Sequence, residues 1–556
     1  MKKIVTLVLA MIMGLSTVTL SGCGGKENVD SENAQTLEVY VYNAGYGYKW
    51  CEAMLEAFQK EDWVKEKYPN LAVDFTQDAV KESASTHLKS GDTKFDVVFC
   101  TDGWTYANKE YAADLYELVF DKEVPGEDTK YSGKMTVSML DSMRDVHTQD
   151  GEAYYSTSWA NVMTGIVYNE TKLNALGFAV PNTTDELLKI CESVYTGVIL
   201  EGAPLNGEKT VGDAIDKSVY GNKYSFITYG VSPYTNYSLN TWWAQYEGQE
   251  EYYNFFQGND GIGVSPSVLK QTGRLEALKV LEEIQKKDGD SERYTKLEPS
   301  AEREAYRNAQ SRVVLGEALF MCNGDWFDYE MNDFSKAAGE KAGVIKLMRT
   351  PVISSLKDKT NITSDKQLSE VVSAIDQGYK TKADALMGGN VGVEAVSDED
   401  YQTVYEARKM MYSIGANHNA IIPKCSPAQE LAADFLRYIA TDKCLEIFAK
   451  ETKGASMPFV YDLKANNEEL FNSFSAMGKG ATQVLSDPDL QILPNVLTLP
   501  LVQKGSFAAW KSIGDKVGYV MYSKGQSAQE IFDNDYSYWT DDNNRNWELA
   551  KSNAGI

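Results

Sequence analysis

The sequence predicts an α/β fold with two lobes. Its 556 residues are enough for two units of ordinary size, each with its own core. Near the start, strand patterns at 37–45, 71–75 and 95–99 alternate with helical patterns, the second of them at 78–89. A second set of strands and helices begins after residue 153. Alternating strands and helices are typical of a parallel sheet covered by helices, which we expect for the first lobe.

Two aromatic loops follow strands of this first set. Ligands of open α/β sheets bind at the carboxyl ends of the strands, where loops and helix N-termini lie outside the packed core. The loops are NAGYGY at 43–48 and CTDGWTY at 100–106. Turn chemistry explains their Asn and Asp residues equally well. The candidate ligand contacts from these loops are Asn43, Tyr46, Asp102 and Trp104.

The later elements are predicted in the same way. A strand at 162–168 ends at Asn169, and a helix follows with Thr184 as its cap. Helix starts at SDKQ and SDED indicate an inserted helical pair at 364–414. A further helix is expected after Ser426, which we interpret as its cap.

The segment GEALFMCNGDWFDYEM, residues 316–331, combines an apolar run with a turn and a tryptophan. Asn323-Gly324 after alternating apolar residues is typical of a hairpin, in which Trp326 would only open the returning strand. The other interpretation is a strand that ends at a ligand site and presents Trp326 to it. The local pattern alone leaves both open.

Residues 1–22 have the basic start and uncharged apolar run of an export signal. The run ends in LSGC, which resembles the lipobox of bacterial lipoproteins. That resemblance implies that Cys23 becomes the lipid-modified N-terminus, followed by a flexible tether over 23–36. Since each buried methylene contributes about 0.8 kcal/mol, two or more acyl chains would hold the protein to a bilayer.

Composition excludes several functions. A formal net charge of -26 argues against binding nucleic acid or anionic membranes, because both require clustered Lys and Arg. The six cysteines after Cys23 show neither a CxxC pair nor a metal-ligand spacing, so buried thiols are expected. The three histidines also lack a ligand spacing, and we predict no metal and no cofactor.

Five segments in order resemble the extracellular solute-binding proteins of ATP-binding-cassette importers, of the sugar-binding type that includes maltose-binding protein. They are LEVYVYNAGYGYKW, KFDVVFCTDGWTYA, TGIVYNETKLNALGFAVPNTTDEL, GEALFMCNGDWFDYEM and HNAIIPKCSPAQELAADFLRYIATD. The resemblance runs over most of residues 36–540. The chain is longer than a typical member, and its aromatic loops do not reproduce the ligand contacts of any one relative.

This resemblance implies a two-lobe, periplasmic-binding-protein-like fold with a hinge and an interlobe ligand cleft. The boundaries it suggests are 36–155 plus 352–452 for lobe 1 and 156–351 plus 453–556 for lobe 2. The insertion at 364–414 would then belong to lobe 1.

A sugar site needs aromatic rings against the faces of the sugar and polar groups at its hydroxyl rim. Trp326 matches the Gly-x-Trp position of the family, although a core role is the alternative. Trp510 resembles a late aromatic of the site, with core packing as its alternative. Trp242 and Trp243 are adjacent, so at most one is expected to reach the cleft. Trp159 is a further candidate.

The sequence therefore predicts a membrane-anchored, extracytoplasmic receptor that is not an enzyme. It would bind a carbohydrate and deliver it to permease subunits of an importer. A secreted glycoside hydrolase is one alternative, although no pair of carboxylates is singled out. A receptor for another solute, such as a peptide or polyamine, or a sensing role with a partner kinase, is the other.

Overall fold

A computed structural model of the chain describes residues 35–43, 45–78, 81–91, 94–101, 106–147, 153–230, 233–299, 305–514 and 516–556. The export signal, Cys23, Asp102 and Trp104 lie outside these ranges. No helix within them combines the length and the apolar character that crossing a bilayer requires.

In chain order, the strands of the described residues are β1 Thr36–Tyr42, β2 Ala72–Asp78, β3 Val97–Thr101, β4 Thr157–Ser158, β5 Thr164–Asn169, β6 Phe226–Tyr229, β7 Thr295–Glu298, β8 Phe320–Gly324, β9 Ile345–Met348, β10 Met410–Met411, β11 His418–Ile421 and β12 Gln491–Ile492. The helices up to the second sheet's last strand are α1 Lys49–Lys60, α2 Asp62–Lys67, α3 Lys81–Ser90, α4 Tyr131–Lys134, α5 Val137–His147, α6 Glu170–Ala175, α7 Thr184–Thr196, α8 Thr235–Glu247, α9 Gln249–Gln257, α10 Thr272–Gln285, α11 Ala305–Val314 and α12 Trp326–Ala338. The later helices are α13 Asp365–Asp376, α14 Lys382–Met387, α15 Asp398–Lys409, α16 Gln429–Tyr438, α17 Asp442–Thr452, α18 Leu463–Asn466, α19 Glu468–Ser473, α20 Ala476–Leu485, α21 Pro500–Gln503, α22 Val517–Lys524, α23 Ala528–Thr540 and α24 Asn546–Ala554.

The first lobe is built on a sheet with the strand order β2-β1-β3-β11-β4. β1 pairs in parallel with β2 and β3, as the alternating pattern predicted. β11 then adds antiparallel to β3, and β4 antiparallel to β11, so the sheet is mixed rather than purely parallel. The inward side chains of α1, such as Trp50, Met54 and Phe58, are fully buried in the core of this lobe.

The second lobe is built on a sheet with the order β7-β6-β8-β5-β9. β6 is parallel to β7 and β8, whereas β5 is antiparallel to β8 and β9. The two mixed sheets with their helices confirm the predicted α/β class with two lobes. α7 begins at Thr184, but Thr183 is its cap, because its hydroxyl accepts from the Glu186 amide at 3.2 Å. Ser426 likewise does not cap α16, which begins at Gln429 with Ala428 at its cap position; the Ser426 hydroxyl accepts from the Ala428 amide at 3.1 Å and donates to Asp96 at 2.6 Å.

The chain passes between the lobes at three points. The first follows β4 and leads into β5, and the second joins β10 to β11. The third runs from α20 to β12, which pairs in parallel with β10. The Leu493 amide donates to the Met411 carbonyl at 2.9 Å, which ties the second and third crossings together.

The inserted helices at 364–414 pack on the second lobe, which differs from their expected position in the first. The predicted helix starts are present, with Ser364 and Ser397 as caps. The buried face of α13 joins the apolar cluster that contains Trp242. The Thr183 hydroxyl donates to Asp365 at 2.6 Å, which adds a polar link between this segment and α7.

The six cysteines of the described residues take part in no disulfide, and all but the half-buried Cys425 are buried. Burial raises the pKa of the Cys191 thiol to about 12 and that of Cys322 to about 11. Thiols with such pKa values are unreactive at neutral pH, as expected for cysteines that serve as small core residues.

Candidate functional site

The turn after β8 brings Asp325 and Trp326 to the carboxyl end of the second-lobe sheet. β8 ends at Gly324, and α12 begins directly at Trp326, so the segment is a strand followed by a helix and not a hairpin. The Asp325 amide donates to the Met163 carbonyl at 3.0 Å, which anchors the turn to the first crossing segment. The apolar face of α12, formed by Trp326, Phe327 and Met331, holds this helix against the sheet.

The parallel strands β6 and β7 end at the same edge of the sheet as β8. The chain after β6 leads into α8 and carries Tyr234 and Tyr237, and the chain after β7 leads into α11 and carries Tyr306. Because parallel strands present their carboxyl ends together, residues that are distant in sequence meet at this edge.

These residues form an aromatic surface that we call the cleft aromatic cluster. Trp326 makes edge-on contacts with Tyr234, at 5.6 Å between ring centroids, and with Tyr237, at 6.2 Å. Tyr234 stacks on Tyr237 at 5.3 Å, and Tyr237 stacks on Tyr412 of the second crossing at 5.8 Å. The members of the cluster are Tyr229, Tyr234, Tyr237, Tyr306, Trp326 and Tyr412.

The loop between β1 and α1 of the first lobe lies against this surface. Gly45 and Gly47 have positive φ angles of 46° and 68°, which favour glycine. A Cβ atom on Gly45 would lie 3.5 Å from the Trp326 Cβ, and one on Gly47 would overlap the Tyr329 hydroxyl. The two glycines therefore allow the backbone of this loop to approach the Trp326 and Tyr329 side chains of the second lobe closely.

The sequence-predicted residues Asn43 and Tyr46 both belong to this loop. The Asn43 side chain donates a hydrogen bond to the Gln77 side chain at 2.8 Å, and the Asn43 backbone N–H donates one to the Asp78 carbonyl at 2.7 Å. Asn43 therefore fixes the loop to β2. Tyr46 is buried, and its hydroxyl donates to Asp325 at 2.5 Å. Tyr46 thus joins the first lobe directly to the turn that carries Trp326.

A polar cavity of about 550 Å³ opens between the lobes beside this contact. The first lobe contributes Asn43, Lys49 and Lys453 to its wall, and the second contributes Tyr306, Arg307, Tyr329 and Glu330 among others. The wall combines aromatic rings with donors and acceptors of both charges. Such a lining suits a polar, neutral molecule with many hydroxyl groups.

Two acids at the cleft have strongly perturbed pKa values. Burial raises the pKa of Asp325 to about 7, although the Tyr46 hydrogen bond opposes the shift. Burial also raises the pKa of Glu330 to about 7, against the effect of the Gln310 amide that donates to it at 2.6 Å. Burial and the adjacent Asp325 raise the pKa of Tyr46. Perturbed acids in a cleft are frequent at functional sites.

The remaining predicted tryptophans lie in the two cores. Trp159 stacks on Trp50 at 4.9 Å inside the first lobe, and its indole donates to the Cys100 carbonyl at 3.2 Å. Trp242 and Trp243 are fully buried on α8. The Trp242 indole donates a hydrogen bond to the Pro351 carbonyl at 3.2 Å, and the Trp243 indole donates one to the Gln271 side chain at 2.9 Å.

Trp510 and Trp243 belong to a box around the buried Arg274. The guanidinium carbon lies 4.8 Å from the Trp510 ring and 5.8 Å from the Trp243 ring. Arg274 pairs with the buried Asp535 at 2.6 Å, which links α10 to α23. Trp510 therefore has the core packing that the sequence left open as its alternative role, and Trp243 is buried in the same core.

Sequence reasoning singled out Trp326 and Tyr46 but missed Asp325 and the tyrosines of the cluster. No local motif marks those tyrosines, although Tyr229 and Tyr234 do follow a strand in the way that ligand loops do. Among the residues the structure describes, no group of three or more His, Cys, Asp or Glu side chains is arranged to hold a metal ion.

Comparisons with known proteins establish the fold of the chain. No family model and no curated protein sequence matches it. Among solved structures, SBP RafE in complex with raffinose is 13% identical with a TM-score of 0.52, and the match covers 91% of this chain and 99% of that one. The GacH receptor of Streptomyces glaucescens, whose title names complexes with acarbose and an acarbose homolog, has the same identity and TM-score, with 93% and 99% covered.

The maltose-bound T. maritima MalE3 is also similar, with 13% identity, a TM-score of 0.50 and coverage of 90% of this chain and 98% of that one. The chain therefore has the two-lobe fold of sugar-type solute-binding proteins, as the sequence resemblance implied. These three structures contain raffinose, acarbose and maltose, respectively.

Proposed function

We propose that the chain is the solute-binding receptor of an ATP-binding-cassette importer and that it takes up a carbohydrate in the interlobe cleft. The observation that carries this proposal is the cleft aromatic cluster, in which Trp326 lies against the Gly45–Gly47 loop of the other lobe and Tyr306 lines the polar cavity between the lobes. The sugars bound in the RafE, GacH and MalE3 structures support the same ligand class.

The energetics favour a sugar over an apolar ligand. An aromatic ring that covers about 80 Å² of a sugar face contributes on the order of 2 kcal/mol at about 25 cal/mol per Å². Each net hydrogen bond contributes only about 1 kcal/mol, but a buried group that loses its partner is penalised. Rings would therefore set the affinity, while Asn43, Glu330 and Arg307 would discriminate among sugars.

The direct test is a glycan panel on the purified chain from residue 24 onward. We expect a subset of mono- or oligosaccharides to raise the melting temperature and to bind in calorimetry. The variant Tyr306→Ala should weaken that binding, whereas Tyr195→Ala, on the outside of the second lobe, should not. Binding of peptides or polyamines instead of glycans would refute the sugar assignment, and release of cleaved sugar would refute the assignment as a non-enzyme.

We further propose that the receptor is held at the outer face of the cell membrane through acyl chains on Cys23. The LSGC segment after an apolar leader supports this anchor. The tether at 23–36 would then let the folded lobes reach the permease subunits. Mass spectrometry of the membrane-extracted protein tests it, since an unmodified N-terminal peptide that still contains residues 1–22 contradicts the proposal.

A further inference from the structure

The two lobes are joined by a hydrogen bond that is buried from solvent. Tyr46 comes from the β1–α1 loop of the first lobe, and Asp325 from the turn after β8 of the second. The Tyr46 hydroxyl donates to Asp325 Oδ1 at 2.5 Å and lies 3.4 Å from the Asn161 carbonyl in the first crossing segment. Only 2% of Tyr46 and 5% of Asp325 is exposed. Any motion that separates the β1–α1 loop from the turn after β8 breaks this bond and brings water to both groups.

The surroundings of Asp325 do not favour a negative charge. In the part of the chain that the structure describes, its second oxygen Oδ2 has no hydrogen-bond partner and the carboxyl has no ion pair. The titratable groups that face the Tyr46–Asp325 pair are Tyr237 and Glu330 of the second lobe, and His418 of the first, whose ring lies 6.0 Å from that of Tyr46. The charge of Arg307 acts on Glu330, where it opposes the rise of the pKa that burial causes. An ionised Asp325 would be a buried charge without a counter-ion, which is costly.

We infer that Asp325 is a positioning residue of the cleft, which holds the Tyr46 loop in the closed position as a neutral acid, so that closing the lobes takes up one proton. This inference rests on the proposed function, in which the closed lobes retain the ligand. Asp325 acts through its hydrogen bond to Tyr46 and, through that bond, on the position of the two lobes.

The pKa of Asp325 gives the pH range of the effect. Burial raises it to about 7 in the closed arrangement, whereas an aspartate in water has a pKa of about 3.9. A group whose pKa is higher in the closed form favours closure at low pH. That contribution is complete below about pH 4 and is lost as the pH rises through about 7. Within this window the ratio of closed to open molecules should fall by up to tenfold for each pH unit.

Small-angle X-ray scattering of the ligand-free chain between pH 5 and pH 8 measures closure directly. The radius of gyration of the wild type should rise with pH as the open form gains population. Asp325→Asn keeps an acceptor for Tyr46 but has no titrating proton, so its radius should stay at the acid value throughout. Glu186→Gln is the matched control, because Glu186 is a half-buried acid whose pKa is also raised by burial but lies away from the cleft, and it should keep the wild-type profile.

A wild-type radius that does not change with pH, or an Asp325→Asn profile that follows the wild type, overturns the inference. Should Asp325→Asn fail to fold, Tyr46→Phe serves instead, because it removes the donor and should enlarge the radius at pH 5; an unchanged radius would contradict the inference. If no glycan binds in the panel while the scattering profile depends on Asp325, the proposed function fails and the proton-coupled closure stands.

Discussion

An alanine at position 324 should displace Trp326 and disable the cleft without touching any polar group. A Cβ atom at Gly324 would fall well inside the 3.0 Å that real Cβ atoms keep from other atoms, directly on the Trp326 ring. Since the ring belongs to a large, packed side chain, it has to leave its contacts with Tyr234 and Tyr237. Each edge-on aromatic pair contributes about 0.5 to 1.5 kcal/mol, so we expect a loss of about 1 to 3 kcal/mol in unfolding free energy.

Ligand binding should weaken by a similar amount of free energy. If Trp326 covers a sugar face, its displacement removes roughly 2 kcal/mol of binding, which is about a 30-fold weaker affinity. Denaturant unfolding and calorimetric titration with a glycan identified in the panel measure the two effects. Gly263→Ala is the matched control, because a Cβ there meets open space, and it should leave both quantities unchanged. A Gly324→Ala variant that unfolds and binds like Gly263→Ala would refute the reasoning.

Three further variants test other parts of the structure. Trp326→Ala should weaken glycan binding by roughly 2 kcal/mol and, like Gly324→Ala, lose about 1 to 3 kcal/mol of unfolding free energy, whereas calorimetric titration with unchanged affinity and a loss of about 3 to 5 kcal/mol in unfolding free energy would indicate a core role alone. Arg274→Met leaves Asp535 as a buried charge and should cost about 3 to 5 kcal/mol of unfolding free energy in denaturant titration. Cys23→Ser should move the protein from the membrane fraction to the soluble fraction, as immunoblotting of the fractions would detect.

The local part of the fold was predictable because it is encoded in short stretches. The alternation of strands and helices from Thr36 to Thr101 gave three parallel strands correctly. The antiparallel neighbours β11 and β4 were missed, because β11 joins β3 from more than 300 residues away and no local pattern records that pairing. The lobe to which α13 belongs was missed for the same reason. The apolar face of this helix predicts that it packs against another part of the protein, but it does not indicate which lobe provides the partner.

The candidate site was predictable only where a residue stood in a distinctive segment. Trp326 follows a strand and a turn, which the sequence reveals. The tyrosines of the cluster are a few among 34, and only the parallel order of β6, β7 and β8 brings them together. From the sequence, Asp325 is typical of a turn residue. Its role at the cleft depends on the hydrogen bond with Tyr46, which lies 279 residues earlier in the chain, and no local pattern indicates that contact.

The two roles considered for Trp326, ligand contact and core residue, are less opposed than the sequence suggested. With 7% exposure it is almost as buried as Trp510 at 4%, so burial alone does not separate them. The two tryptophans differ in which lobe buries them. Trp510 is covered by its own lobe, around Arg274, whereas Trp326 is covered partly by Gly45 of the other lobe. A side chain buried across a hinge becomes accessible when the lobes part, and that makes a ligand-facing role compatible with a buried tryptophan.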